Sequence, residues 1–352
     1  MEAALAMAAT TAVKGQSPAA PPPRKLKVDA YSRHLQWLRT AGEVAEAVVE
    51  MGFDGLDITV RPYPGHVNPE KVAQELPPFV NTIRKHGLQV VTITCPITDA
   101  DSPNAEAILQ TASSLGITHY WWGTFRYEPG KPLVAQLDAL KPRVEKLAAL
   151  NAKYKMKAMY HTYSGAGTVG AAIWDLLYVL KSFDPAQVGF HYDIGHMTNA
   201  GGNGTWALNL RAAGPYIAGI SAKDSVMEPA LLVSGGGPMT PEMAATVAAS
   251  GRGRGGPARA GDERGGRGRG GGMPRWRIRQ VPLGTGMDDL PQVANVLKEI
   301  DFSGPVEIQA EYPNGGAESA QDKITLPREQ VLGALKRDLL ALRIAWGPSG
   351  LL

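Results

Sequence analysis

The chain has 352 residues, one cysteine and a formal net charge of +3, with 44% hydrophobic and 20% charged residues. That composition fits a soluble globular protein with one large core or two modest ones. It excludes an intrachain disulfide and contains no apolar run long enough for a membrane-spanning helix. The positive charge is local: residues 251–272 carry six arginines against Asp262 and Glu263, and the rest holds 30 basic and 31 acidic residues. No body-wide basic field therefore points to nucleic acid.

Residues 1–24 hold a small apolar stretch, Ala3 to Val13, and then a polar, Pro-rich linker. They read as a disordered extension or the end of an export signal, which leaves the compartment open between cytoplasmic and exported. The first strand is expected at Leu26–Tyr31, closing on Ser32, Arg33 and His34. Thr40 and Glu43 have the spacing of a capping box for a helix running to Met51. Leu56–Val60 is the second strand, followed by a loop with Arg61 and His66. Asn68-Pro69 starts the next helix, with proline in the first helical position.

Gln89–Cys95 reads as the third strand, and Cys95 inside that apolar run reads as core. A helix with Ala105, Ile108, Leu109 and Ala112 inward comes next. Thr118–Gly123 is the fourth strand, with Thr124 and Arg126 in its loop, and Leu133–Tyr154 is one long helix. Met156–Tyr160 is the fifth strand, with His161 at its end, and Val169–Lys181 is an amphipathic helix. Val188–Tyr192 is the sixth strand. It ends on Asp193, and a turn at Gly195 is expected to place His196 in the loop beyond. Ile217–Lys223 and Val306–Glu311 complete the set, each followed by helical sequence, the last from about Arg328 to Ala345.

Strand starts recur about every 30 residues, strand then helix, which is the pattern of parallel βα units. Eight units predict an α/β fold, a single-domain (β/α)8 TIM barrel over residues 25–346. An open doubly wound sheet is the alternative, but no strand is followed by a GxGxxG turn. The stretch from Ser225 to Gln280 is rich in Gly, Pro, Ala and Arg. It lacks the large apolar residues a core needs and reads as a disordered Arg/Gly-rich insertion, centred on 228–275.

Barrel strands point their C-terminal ends to one face, where sites are built. Here that face collects Arg33, His34, Arg61, His66, Arg126, His161, Asp193, His196, Lys223, Asp224 and Glu311. An acid at a strand end with a histidine three residues on suits a metal or a sugar hydroxyl, through a hard anionic oxygen and an imidazole nitrogen.

With VGFHYDIGH at strand six, ISAKD at strand seven and VEIQAEYP at strand eight, the chain resembles the xylose isomerase-like barrels. These are the sugar phosphate isomerase/epimerase family, whose superfamily also contains endonuclease IV. The resemblance implies a divalent metal held by Glu, Asp, His and Glu from strands five to eight. Asp193 matches the Asp, Glu311 matches the last Glu, and His196 matches a histidine that usually meets substrate. His161 stands where the first Glu is usual, and Ser221 stands where the metal histidine is usual.

The resemblance further implies a sugar or keto-sugar isomerase or epimerase that removes a proton next to a carbonyl. His161, Asp193 and Glu311 would be metal ligands, with Glu311 or His161 as base. His196, Lys223, Arg33, His34, Arg61 and Arg126 would contact substrate. Imidazole favours Mn, Co or Zn over Mg. A lyase on 3-keto-glycosides, a non-catalytic sugar-binding barrel and an endonuclease IV-like repair protein are the alternatives. The expected partner is a small sugar, with no membrane and no nucleic acid, and the oligomeric state is left open.

Overall fold

The computed structural model describes residues 25–165, 167–230 and 275–352. Eight parallel strands close into a barrel: β1 (Val28–Tyr31), β2 (Gly55–Thr59), β3 (Thr92–Thr94), β4 (His119–Trp122), β5 (Lys157–His161), β6 (Val188–Asp193), β7 (Ile217–Ala222) and β10 (Val306–Ile308). Neighbours follow sequence order, and β10 closes the ring by pairing with β1 through Val28 and Val306. The helices between them are α1 (Ala41–Met51), α2 (Val72–Lys85), α3 (Ala105–Ser114), α4 (Leu133–Tyr154), α5 (Trp174–Leu180), α6 (Ile194–Gly201), α7 (Trp206–Ala213), α8 (Leu290–Glu299) and α9 (Arg328–Trp346). Every strand expected from the sequence is present, several with shorter ladders.

The amphipathic pattern explains the layering. One large apolar cluster joins the outward strand residues to the inner helix faces, including Val44, Val48, Ile58, Leu76, Ile108, Leu147, Leu176, Leu297 and Leu342. A smaller cluster of Tyr31, Trp121, Met159 and Ala218 plugs the barrel interior. The capping box at α1 is formed, with Thr40 accepting from the Glu43 N–H and Glu43 accepting from the Thr40 N–H. At the barrel floor the Leu26 N–H donates to the Leu351 carbonyl at 2.7 Å, tying the two ends of the described barrel together.

Three expectations are corrected. The helix expected over Val169–Lys181 is confined to Trp174–Leu180, because residues 167–173 are spent on turns and a bridge from Thr168 to Arg126. His196 lies in the first turn of α6 rather than in a loop, since the Asp193 carboxylate accepts from the His196 N–H at 2.7 Å and caps the helix.

The third correction concerns the ends of the Ser225–Gln280 stretch. They form an antiparallel ribbon of β8 (Asp224–Ala230) and β9 (Arg275–Val281), with Glu228 bound by Arg277 and Arg279. The alternation in RWRIRQV supports this strand. The Arg/Gly tract at the centre of the insertion and the N-terminal extension of residues 1–24 lie outside the described residues.

Candidate active site

The C-terminal ends of β5, β6, β7 and β10 bring four side chains together, and the first turn of α6 adds a fifth. Lys223 follows β7 and stands at the centre. Its Nζ lies 3.0 Å from Asp193 Oδ2, donates to Glu311 Oε2 at 2.8 Å, and donates to His196 Nε2 at 2.9 Å. His161 Nε2 is 3.5 Å from the same Asp193 oxygen. The approach of α6 to Lys223 depends on Gly195, where a Cβ would meet Lys223 Cγ at 2.9 Å. The Asp193 N–H donates to Thr162 Oγ1 at 2.9 Å, which fixes the strand end.

The hydrogen bonds assign a tautomer. An ammonium can only donate, so His196 Nε2 accepts and Nδ1 carries the proton, which it donates to Ser164 Oγ at 3.0 Å. Burial pulls the His196 pKa down, in keeping with a neutral ring. Burial also holds His161 well below the usual histidine range, and nearby His191 and Lys223 add to that. Glu311 would be raised by burial, but the Lys223 charge and hydrogen bond outweigh this and hold it at about 2. Burial works against the Lys223 charge, yet Asp193 and Glu311 together raise its pKa.

The remaining expected residues divide. Arg33 NH1 is 3.9 Å from Glu311 Oε1 and donates to the Glu318 carbonyl at 2.9 Å, so it stands at the rim. His34 is buried with Nδ1 3.3 Å from the Ala317 carbonyl, and burial lowers its pKa to about 4. His66 is a packing histidine: Nε2 lies 3.3 and 3.2 Å from the Leu35 and Leu38 carbonyls. Arg61 and Arg126 are exposed, and among the described residues neither side chain bonds to the cluster. Asp224 turns away, accepting from the N–H groups of Gly284, Gly286 and Asp288.

Several neighbours were not singled out from sequence. Trp121 stacks on His161 with ring centroids 4.2 Å apart at 11°. His191 Nδ1 lies 3.4 Å from His161 Nδ1, and His191 Nε2 is 3.8 Å from Glu307 Oε1 deeper in the barrel. Tyr163 meets His161 edge-on at 4.6 Å. The signal that could have found His191 is the period of two, which puts it on the same inward face as Asp193.

His161, Asp193 and His196 each offer one donor atom, and these atoms lie within 4.8 Å of one another. Glu311 is not one of this group; its carboxylate accepts from Lys223 and faces Arg33. Among the described residues, buried Asp193 Oδ2 accepts no well-aligned hydrogen bond despite the nearby ammonium, and Ser221 Oγ is likewise unpartnered. A carboxylate oxygen with a free lone pair and two imidazoles fit a divalent transition-metal ion by donor chemistry.

The architecture is a (β/α)8 barrel with its polar cluster at the C-terminal rim. The chain belongs to the xylose isomerase-like TIM barrel family, whose signature matches residues 45–330. No curated protein matches the chain. Among solved structures it is similar to an IolI protein with a binding zinc atom, at 13% identity and a TM-score of 0.60 over 91% of this chain and 99% of that one. It is also similar to D-psicose 3-epimerase from Clostridium cellulolyticum H10 with D-tagatose, at 14% identity and a TM-score of 0.59, covering 91% and 99%. A third is 3-keto-D-glucoside 4-epimerase from E. coli, at 14% identity and a TM-score of 0.55, covering 90% and 100%. At these identities the likeness establishes the fold.

Proposed function

We propose that the protein is a sugar or keto-sugar isomerase or epimerase that removes a proton next to a carbonyl. The observation that carries this reading is the Lys223 ammonium set between the carboxylates of Asp193 and Glu311 at the barrel rim. The neighbours that act on D-psicose and on a 3-keto-D-glucoside support the substrate class.

Proton removal beside a carbonyl builds negative charge on the carbonyl oxygen, and a fixed cation stabilises that charge. Lys223 supplies such a cation. Glu311 is ionised and its side chain is 30% exposed, so it is the group best placed to take a proton from a substrate at the mouth. The ammonium that holds its basicity low is the same one that would turn to the substrate oxygen. Glu311 therefore becomes a stronger base as the substrate seats. His196 and Arg33 line the same rim and would bind hydroxyls or a phosphate, and His161 is the second group able to handle a proton.

A divalent ion, when bound, would be held by His161, Asp193 and His196 and would polarise the carbonyl. The two imidazoles favour Mn, Co or Zn over Mg.

The test is incubation of the full chain with ketohexoses and 3-keto-glucosides in D2O, followed by proton NMR. Deuterium is expected at the carbon next to the carbonyl, and Glu311→Gln should lose this exchange while keeping its circular dichroism. Sugar binding without exchange would replace the enzyme reading by a sugar-binding barrel. Release of the aglycone from a 3-keto-glucoside would move the reaction from epimerisation to elimination, which begins with the same proton.

A further inference from the structure

We propose that the Lys223 ammonium is the resident cation of this site and that a divalent ion binds there only by displacing it. The ammonium donates to His196 Nε2 at 2.9 Å and to Glu311 Oε2 at 2.8 Å, and its charge faces Asp193 Oδ2 at 3.0 Å. Asp193 and His196 are also two of the three residues able to hold an ion together.

An ion bonded to a carboxylate oxygen and an imidazole nitrogen sits about 2.0–2.2 Å from each. Nζ is already within 3.0 Å of both atoms, so such an ion would share its space or face it as an adjacent cation. Side chains here are 0–1% exposed at Asp193 and Lys223, so little water is present to screen the repulsion. One of the two cations has to leave.

The lysine is built into this position. Its stem passes under α6, where only a glycine at 195 leaves room for Cγ. Beside it, Ser221 presents a buried hydroxyl without a partner among the described residues, a neutral and weak donor. The Asp193 charge is therefore answered by lysine.

The proposal concerns the same rim as the proposed activity, but zinc binding needs no sugar, so either reading can fail alone. The experiment titrates Zn2+ into the chelator-treated full chain by calorimetry, comparing the unmodified protein with Lys223→Met. Zinc is expected to bind at least about ten-fold tighter to Lys223→Met, and adding Asp193→Asn should remove the gain. Equal or weaker binding by Lys223→Met overturns the proposal, as does absence of zinc binding in both proteins.

Removing Lys223 leaves Asp193 and Glu311 without their counter-ion, and the variant could fail to fold. A second measurement therefore uses the unmodified protein. Lysines are acetylated with an N-hydroxysuccinimide ester, with and without saturating zinc, and the Lys223 peptide is quantified by mass spectrometry. Displacement should raise Lys223 labelling several-fold when zinc is present. Labelling that zinc leaves unchanged or lowers overturns the proposal.

Discussion

Asp193 and Lys223 stand 3.0 Å apart with side chains 0% and 1% exposed, so the charge centre of the barrel is a dry ion pair. Removing one member of such a pair strands the other without water, at a cost of about 3–5 kcal/mol. Asp193→Asn still leaves Lys223 with Glu311, so the lower end, about 3 kcal/mol, is expected. Glu311 is 30% exposed and shares its contact with solvent, and Glu311→Gln should cost about 1 kcal/mol. Urea denaturation at pH 7 measures both. Equal losses would show that Lys223 does not distinguish the buried acid from the rim acid.

The pH dependence of stability follows from buried groups whose ionisation burial displaces. Burial raises Asp29 and Asp288 to about 8, so both are neutral in the folded chain at pH 7. Their contribution is full below the unfolded carboxylate range and is lost as pH rises from about 4 to about 8. Burial lowers His34 and His66 to about 4 and His119 and His191 to about 3. Their contribution is full above about 6.5 and is lost as pH falls toward 3.

The two sets oppose each other between pH 4 and 6.5, and above 6.5 only the acids act. The melting temperature is expected to peak near pH 6.5 and then fall toward pH 8, each acid adding a slope of about 1.4 kcal/mol per pH unit. Asp29→Asn keeps an acceptor for Gln89, whose Nε2 donates to Asp29 Oδ1 at 2.8 Å, and removes the titrating proton. It should make the decline shallower. A melting temperature flat from pH 6.5 to 8 in the unmodified protein would contradict this.

The barrel was legible because its strands are apolar runs separated by amphipathic helices at regular intervals, and that pattern survives without tertiary information. Asp193 was legible as a strand-end acid. His191 and Glu307 were not, because polar residues inside a strand carry no sign of whether the barrel interior can satisfy them. A loop at His196 is what a turn-forming residue at Gly195 suggests. Its real role is to let α6 pass over Lys223, a long-range contact that spacing does not encode. In the sequence Glu311 reads as a strand end, yet β10 stops at Ile308, and Glu311 reaches Lys223 from the loop beyond. Lys223 is legible as a strand-end cation, but its place between Asp193 and Glu311 joins three strands and is not encoded in spacing.

Trp121 offers a separation of packing from polarity. It is buried between Tyr31, at 5.0 Å and 26°, and His161, at 4.2 Å and 11°, while its Nε1 has no hydrogen-bond partner among the described residues. An unpartnered buried N–H costs about 1–3 kcal/mol. Trp121→Phe removes that N–H, keeps an aromatic ring on His161, and leaves a gap costing a similar amount. It is expected to lie within about 1 kcal/mol of the unmodified protein, against about 3–5 kcal/mol lost by Trp121→Ala. Chemical denaturation of both variants decides the matter: a Phe variant as unstable as the Ala variant would mean that Nε1 is bonded to a trapped water.

The ribbon supplies the last prediction. Ala230 and Arg275 are cross-strand partners at its end, so the two residues that flank 231–274 are adjacent. Residues 231–274 can then be replaced by the two residues Asn-Gly, which suit the tight turn of a hairpin. The loop-closure term grows only as the logarithm of length, so the replacement should stabilise by at most about 3 kcal/mol. Glu228 stays bound to Arg277 and Arg279, which holds the register. The melting temperature of the shortened protein is expected to match or exceed that of the full chain, and solvent-deuterium exchange into the sugar should persist. A lower melting temperature would show that residues 231–274 pack on the barrel. Lost exchange with an unchanged melting temperature would show that they complete the site.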